Sequence, residues 1–83
     1  MNVTVEISFY PLIADFETAV QALLELLTEK PGITVETGMM STLVSGKYDE
    51  VMALLSRSMK QLMSEYPSVF NIKIANACSI GSG

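Results

Sequence analysis

Asn2-Val3-Thr4-Val5-Glu6-Ile7-Ser8-Phe9 alternates without a break between polar and apolar side chains. Successive side chains of a strand point to opposite faces, so Val3, Val5, Ile7 and Phe9 are expected on a buried face, with Asn2, Thr4, Glu6 and Ser8 on its reverse. Tyr10-Pro11-Leu12 is expected to end the strand, because proline donates nothing to the ladder and biases the residue before it away from helix. Asp15 then stands as an N-cap ahead of Phe16, Ala19, Val20, Leu23, Leu24 and Leu27. Their three-and-four spacing predicts one amphipathic helix, stopping near Lys30 ahead of Pro31-Gly32.

The second half repeats the theme. Ile33 to Thr37 alternates, Gly38 punctuates, and Met40 to Ser45 alternates again before Gly46, which reads as a β-hairpin. Tyr48, Val51, Met52, Leu55, Met59 and Leu62 restore helical spacing, with Lys47, Asp49, Glu50, Arg57, Lys60 and Glu65 on the solvated side, so a second helix is expected to about Ser64. Pro67 breaks it, and Phe70, Ile72 and Ile74 alternate with Asn71, Lys73 and Ala75 in a last strand. Strand, helix, strand, strand, helix, strand with right-handed crossovers predicts an α+β, ferredoxin-like βαββαβ sandwich. It would be a four-stranded antiparallel sheet with both helices on one face. A single domain over residues 1–80 is expected, with 81–83 as a flexible C-terminal tail.

The chain has 83 residues, enough for one core, and chains of that size bury only roughly 60% of the surface they expose when unfolded. Apolar residues make up 49% and charged ones only 17%, so part of the apolar surface is expected to meet another subunit. The net charge is −4 and the basic residues Lys30, Lys47, Arg57, Lys60 and Lys73 are dispersed, which argues against nucleic acid as a partner. No apolar run approaches the roughly 20 residues of a membrane span, and no basic-then-apolar leader pattern precedes the first strand. A cytoplasmic location without membrane attachment is the expectation. A lone Cys78 makes no internal disulfide, and the absence of histidine excludes the usual zinc sites and the Ser/His and Cys/His nucleophile systems. The chain is therefore expected not to be an enzyme and to carry neither a metal nor a resident cofactor.

With helices on one face only, the reverse face lacks cover from its own chain, and function is expected there. By parity it carries Thr4, Glu6, Ser8, Thr34, Glu36, Asn71 and Lys73. The third strand contributes either Ser41 and Leu43 or Met40, Thr42 and Val44, because the glycine near its start leaves the register open. Strand interiors are poor in glutamate, so Glu6 and Glu36 are candidates to accept hydrogen bonds from amino groups or to face a cation. The competing reading pairs Glu6 with Lys73 across adjacent strands as a simple ion pair. Tyr10 and Tyr48 offer ring faces and hydroxyls, Met39 and Met40 an adaptable apolar wall, while Met52 and Met59 belong to helical core positions.

Val35-Glu36-Thr37-Gly38-Met39-Met40-Ser41-Thr42, joined to Val5-Glu6-Ile7-Ser8-Phe9-Tyr10-Pro11-Leu12, resembles the YkoF-like thiamine-binding family. The resemblance runs from Val3 to about Ile74, and this chain has Met39 where proline is common in the family. It implies ferredoxin-like domains that assemble through their sheets into homodimers or homotetramers. It also implies binding of thiamine or its hydroxymethylpyrimidine moiety without transformation, linked to vitamin salvage. The candidate ligand residues are Glu6, Ser8, Tyr10, Glu36, Met39, Met40, Ser41 and Thr42. A pyrophosphorylated ligand is disfavoured by the lack of a basic cluster or glycine-rich cradle. The alternative is a structural or regulatory assembly domain without a vitamin ligand. An acylphosphatase-like hydrolase shares the fold but needs a phosphate-holding arginine after the first strand, and Tyr10 to Asp15 contains none.

Overall fold

The computed structural model describes residues 1–28, 30–38 and 41–76. Met39, Met40, Cys78 and the expected tail lie outside the described residues. The order is β1 (Asn2–Pro11), α1 (Phe16–Leu26), β2 (Thr34–Thr37), β3 (Thr42–Lys47), α2 (Tyr48–Glu65) and β4 (Ser68–Ala75). The strands form one antiparallel sheet in the order β2-β3-β1-β4, the ferredoxin-like βαββαβ arrangement expected from the sequence.

The alternation in β1 sets the layers. Val3, Val5 and Ile7 point under the helices and are at most 4% exposed. There they meet Val44 of β3, Leu23 and Leu27 at the α1 end, and Val51, Leu54, Leu55 and Leu62 of α2. Phe9 and Phe70 stack on the same side with ring centroids 4.8 Å apart. Met52 and Met59 pack against this core, as their helical spacing predicts.

Several boundaries differ from expectation, each for a local reason. β1 continues through Tyr10 to Pro11, because its β3 partner ends at Ile7↔Thr42 while β4 stays paired to Pro11↔Ser68. The Leu12 N–H donates to the Pro67 carbonyl at 2.8 Å. By the alternation of an antiparallel ladder, the Pro11 nitrogen faces the side where no strand remains, so its missing hydrogen costs no ladder bond. β4 correspondingly begins at Ser68, earlier than the apolar run implies. Helix α1 stops at Leu26 rather than near Lys30. Lys30 is instead the first residue of a turn closed by the Ile33 N–H to its carbonyl at 2.9 Å, with Gly32 at φ 85°. Pro31 followed by a positive-φ glycine requires that turn, and Ile33 is consumed in it, so β2 begins at Thr34.

The two helices start differently. The Asp15 carboxylate accepts from the Thr18 N–H at 3.4 Å and from the Thr18 hydroxyl at 2.8 Å. Helix α2 starts without a side-chain cap but carries Asp49 and Glu50 in its first turn, where the helix dipole favours negative charge. No helix among the described residues is long and apolar enough to cross a membrane.

Strand β3 runs through Gly46 to Lys47, past the expected end at Ser45. A Cβ on Gly46 would lie 2.5 Å from the Gly32 carbonyl oxygen and 3.3 Å from a Val51 methyl. The glycine thus lets the Pro31-Gly32 turn close against β3. Gly46→Ala should lower unfolding stability by about 1–3 kcal/mol, read as a lower urea midpoint at constant slope. An unchanged midpoint would show that the turn does not press on β3.

Candidate functional site

The register answers which residues of β3 share the uncovered face. Val5↔Val44 and Ile7↔Thr42 pair on the helix side, so Leu43 and Ser45 stand on the reverse with Thr4, Glu6 and Ser8. Cross-strand partners then line up as one row over all four strands: Glu36↔Leu43, Leu43↔Glu6 and Glu6↔Lys73. Neighbouring strands lie about 4.8 Å apart, which separates the backbones of Glu36 and Glu6 by about 10 Å with Leu43 between them. The row reads negative, apolar, negative, positive.

Its electrostatics are uneven. Glu6 is held from two sides: Lys73 Nζ lies 3.8 Å from Oε1, and the Ser41 hydroxyl donates to Oε2 at 3.5 Å. The Glu6 side chain is 22% exposed, that of Lys73 68%. This is the only ion pair among the described residues, so Glu36 faces solvent without a basic partner there. The sequence-level alternative for Glu6 is therefore realised in part: the pair with Lys73 forms, at a distance too long for a tight charge-assisted hydrogen bond. The next row pairs Thr34 with Ser45 and Ser45 with Thr4, the Thr4 and Ser45 hydroxyls lying 3.2 Å apart.

A hollow of about 550 Å³ opens on this face, lined by Glu6, Glu36, Thr37, Gly38, Ser41 and Leu43. The β2–β3 hairpin builds its rim. Thr37↔Thr42 is the last rung, and beyond it the Gly38 N–H donates to the Ser41 carbonyl at 2.8 Å, fixing Ser41 near Glu6. Glu6, Glu36 and Ser41 of the expected ligand residues thus come together, and Ser8 stands on the same face opposite Asn71.

Thr42 departs from this group. It faces the helices and is 5% exposed, a correction to its place beside Ser41 that follows directly from its pairing with Ile7. Thr42 and Tyr10 instead line a second, mainly apolar groove of about 360 Å³ between α1 and the end of β1, with Phe9, Phe16, Val20 and Leu23. Phe16, expected in the buried stripe of α1, forms an exposed border of that groove. Tyr48 is likewise exposed, and its N–H donates to the Met1 carbonyl at the other end of β1 from Tyr10. Ile74 shares the helix side yet is 47% exposed, since it lies on the outer strand β4 beyond the strands the helices cover. Leu43, central to the row, was reachable from the sequence only as one of two registers. Its pairing with Glu6, between the buried Val44 and Thr42, is what selects it.

Among the described residues no group of three or more His, Cys, Asp or Glu side chains is placed to hold a metal ion. What the face offers is an apolar patch between two hydrogen-bond acceptors, with a hydroxyl at one edge and a movable ammonium at the other. That arrangement can receive a flat ring bearing amino donors.

Solved structures of similar shape include a protein from Streptococcus pneumoniae, at 21% identity over 99% of this chain and 92% of that one, with a TM-score of 0.82. A candidate thiamine biosynthesis/salvage protein from Thermotoga maritima is 22% identical over 93% of this chain and 85% of its own, with a TM-score of 0.80. A domain of unknown function from Bacillus cereus is 23% identical over 100% of this chain and 83% of its own, with a TM-score of 0.76. At these identities the likeness establishes the fold. No curated protein matches the chain. The sequence profile described as thiamine-binding protein matches residues 5–77, a span that includes every residue of the Glu36, Leu43, Glu6 and Lys73 row. The chain belongs to the thiamine-binding protein family.

Proposed function

We propose that this protein binds thiamine, or its hydroxymethylpyrimidine moiety, on the open face of its sheet and releases it untransformed, in the service of vitamin salvage. The observation that carries the proposal is the placement of Glu6 and Glu36 on either side of Leu43 within one hollow of about 550 Å³. That volume lies within the usual range for small-molecule sites. The exocyclic amine of an aminopyrimidine donates to a carboxylate, Leu43 supplies the apolar contact for a ring, and the Ser41 and Ser8 hydroxyls meet ring nitrogens. A thiazolium is a permanent cation and suits a protein of net charge −4. None of these contacts calls for histidine or a metal.

The site is completed, in this reading, at the boundary between copies of the chain. The open face presents Thr4, Glu6, Leu43, Ser45 and Lys73 with no second layer among the described residues, and pairing of two such faces in a homodimer or homotetramer would enclose the hollow.

Calorimetric titration with thiamine and with hydroxymethylpyrimidine should give saturable binding, and mass spectrometry should recover the ligand unchanged after incubation. Glu36→Gln should weaken binding by about tenfold or more while leaving the melting temperature nearly constant, since Glu36 is exposed and supports no core contact. Equal affinity in wild type and variant would remove Glu36 from the site. Absence of heat with either ligand, from a folded oligomer, would favour an assembly domain instead. Sedimentation at micromolar concentration should give a dimer or tetramer, and a clean monomer would contradict a shared site.

A further inference from the structure

We propose that Lys73 sets the charge preference of the open-face site, restraining cationic ligands and favouring ligands that carry an anionic group. The inference rests on the reading of that face as the vitamin site and assigns a specificity role within it. Lys73 ends the row that begins at Glu36, and its ammonium lies 3.8 Å from Glu6 Oε1. A locked charge-assisted hydrogen bond would measure about 2.7–2.9 Å, so the contact is electrostatic and loose. The side chain is 68% exposed and rides on outer strand β4, which leaves it free to swing toward or away from the hollow. The Ser41 hydroxyl stands 3.5 Å from the other Glu6 oxygen, a contact too long to lock it, so the carboxylate can reorient toward a ligand when the ammonium moves.

The consequence is a competition at one carboxylate. A ligand cation approaching Glu6 meets a positive charge already there and must displace it or share the field. A neutral ring with amino donors uses the free lone pairs of Glu6 and Glu36 without that penalty. An anionic tail reaching past Glu6 meets Lys73 directly. One ammonium is no phosphate cradle, so its effect is a bias in relative affinity and not a new binding site. Like-charge repulsion over a few ångströms at a partly solvated face is worth about three- to tenfold in affinity.

The test is titration of wild type and Lys73→Met with thiamine, neutral hydroxymethylpyrimidine and thiamine pyrophosphate at low ionic strength. In the variant the affinity for thiamine relative to hydroxymethylpyrimidine should rise about three- to tenfold, and that for the pyrophosphate relative to thiamine should fall by a similar factor. Lys73→Arg should restore the wild-type ratios. Ratios that stay the same in Lys73→Met would overturn the inference while leaving the vitamin site intact, and would reduce Lys73 to a cross-strand partner of Glu6. Binding of none of the three by the wild type is a different result, which removes the parent reading and this inference with it.

Discussion

The structure depends on the register of the central strand β1 against β3 and β4. Val3, Val5 and Ile7 fill the space under the helices, and this fixes Thr4, Glu6 and Ser8 on the opposite face, because the side-chain period of a strand is two. A slip of one residue would send Glu6 into the apolar layer and Val5 or Ile7 into solvent, at the cost of burying an unpaired carboxylate as well as the lost packing. The same interaction that stabilises the core therefore positions the backbone of the candidate ligand groups. Pairing carries that constraint outward: Leu43 is placed by Glu6, Glu36 by Leu43, and Lys73 by Glu6.

The two carboxylates occupy different mechanical settings. Glu6 stands on a central strand with neighbours on both sides, partly buried, and held by Ser41 and Lys73. Glu36 stands on the four-residue outer strand β2, exposed and paired on one side only, with Leu43 of β3. A ligand spanning both would meet a partly buried acceptor at one end and an exposed one at the other. The apolar groove beneath α1 meets the same hairpin from the helix side, since Thr37, Gly38 and Ser41 border both hollows. It lacks the carboxylates, and its walls are those of a packing surface between α1 and the end of β1.

Much of this was legible in the sequence, and what was not has physical causes. Unbroken alternation in residues 2–9 and helical spacing in Val51, Met52, Leu55, Met59 and Leu62 gave the element order and the open face, since a period is a property of the chain itself. The end of α1 was not, because Pro31-Gly32 claims Lys30 for a turn, and the distance a turn reaches back into a helix depends on its closing bond. The extension of β1 through Pro11 depends on which side of the proline still has a partner strand, a tertiary fact. Which of Ser41 and Thr42 belongs with the open face required the register of β3, which a glycine in the sequence left open in either parity. The Glu6–Lys73 pair was foreseeable from topology, but its length, and so its freedom, was not.

The central claim is that the Glu36, Leu43 and Glu6 row on the open face receives the ligand. Amide chemical-shift mapping during a thiamine titration tests it most directly, because each hollow has its own set of backbone reporters. The largest perturbations should cluster at Glu6, Glu36, Ser41 and Leu43. Perturbations centred instead on Phe16, Val20 and Leu23 would move the ligand to the helix-side groove and contradict it.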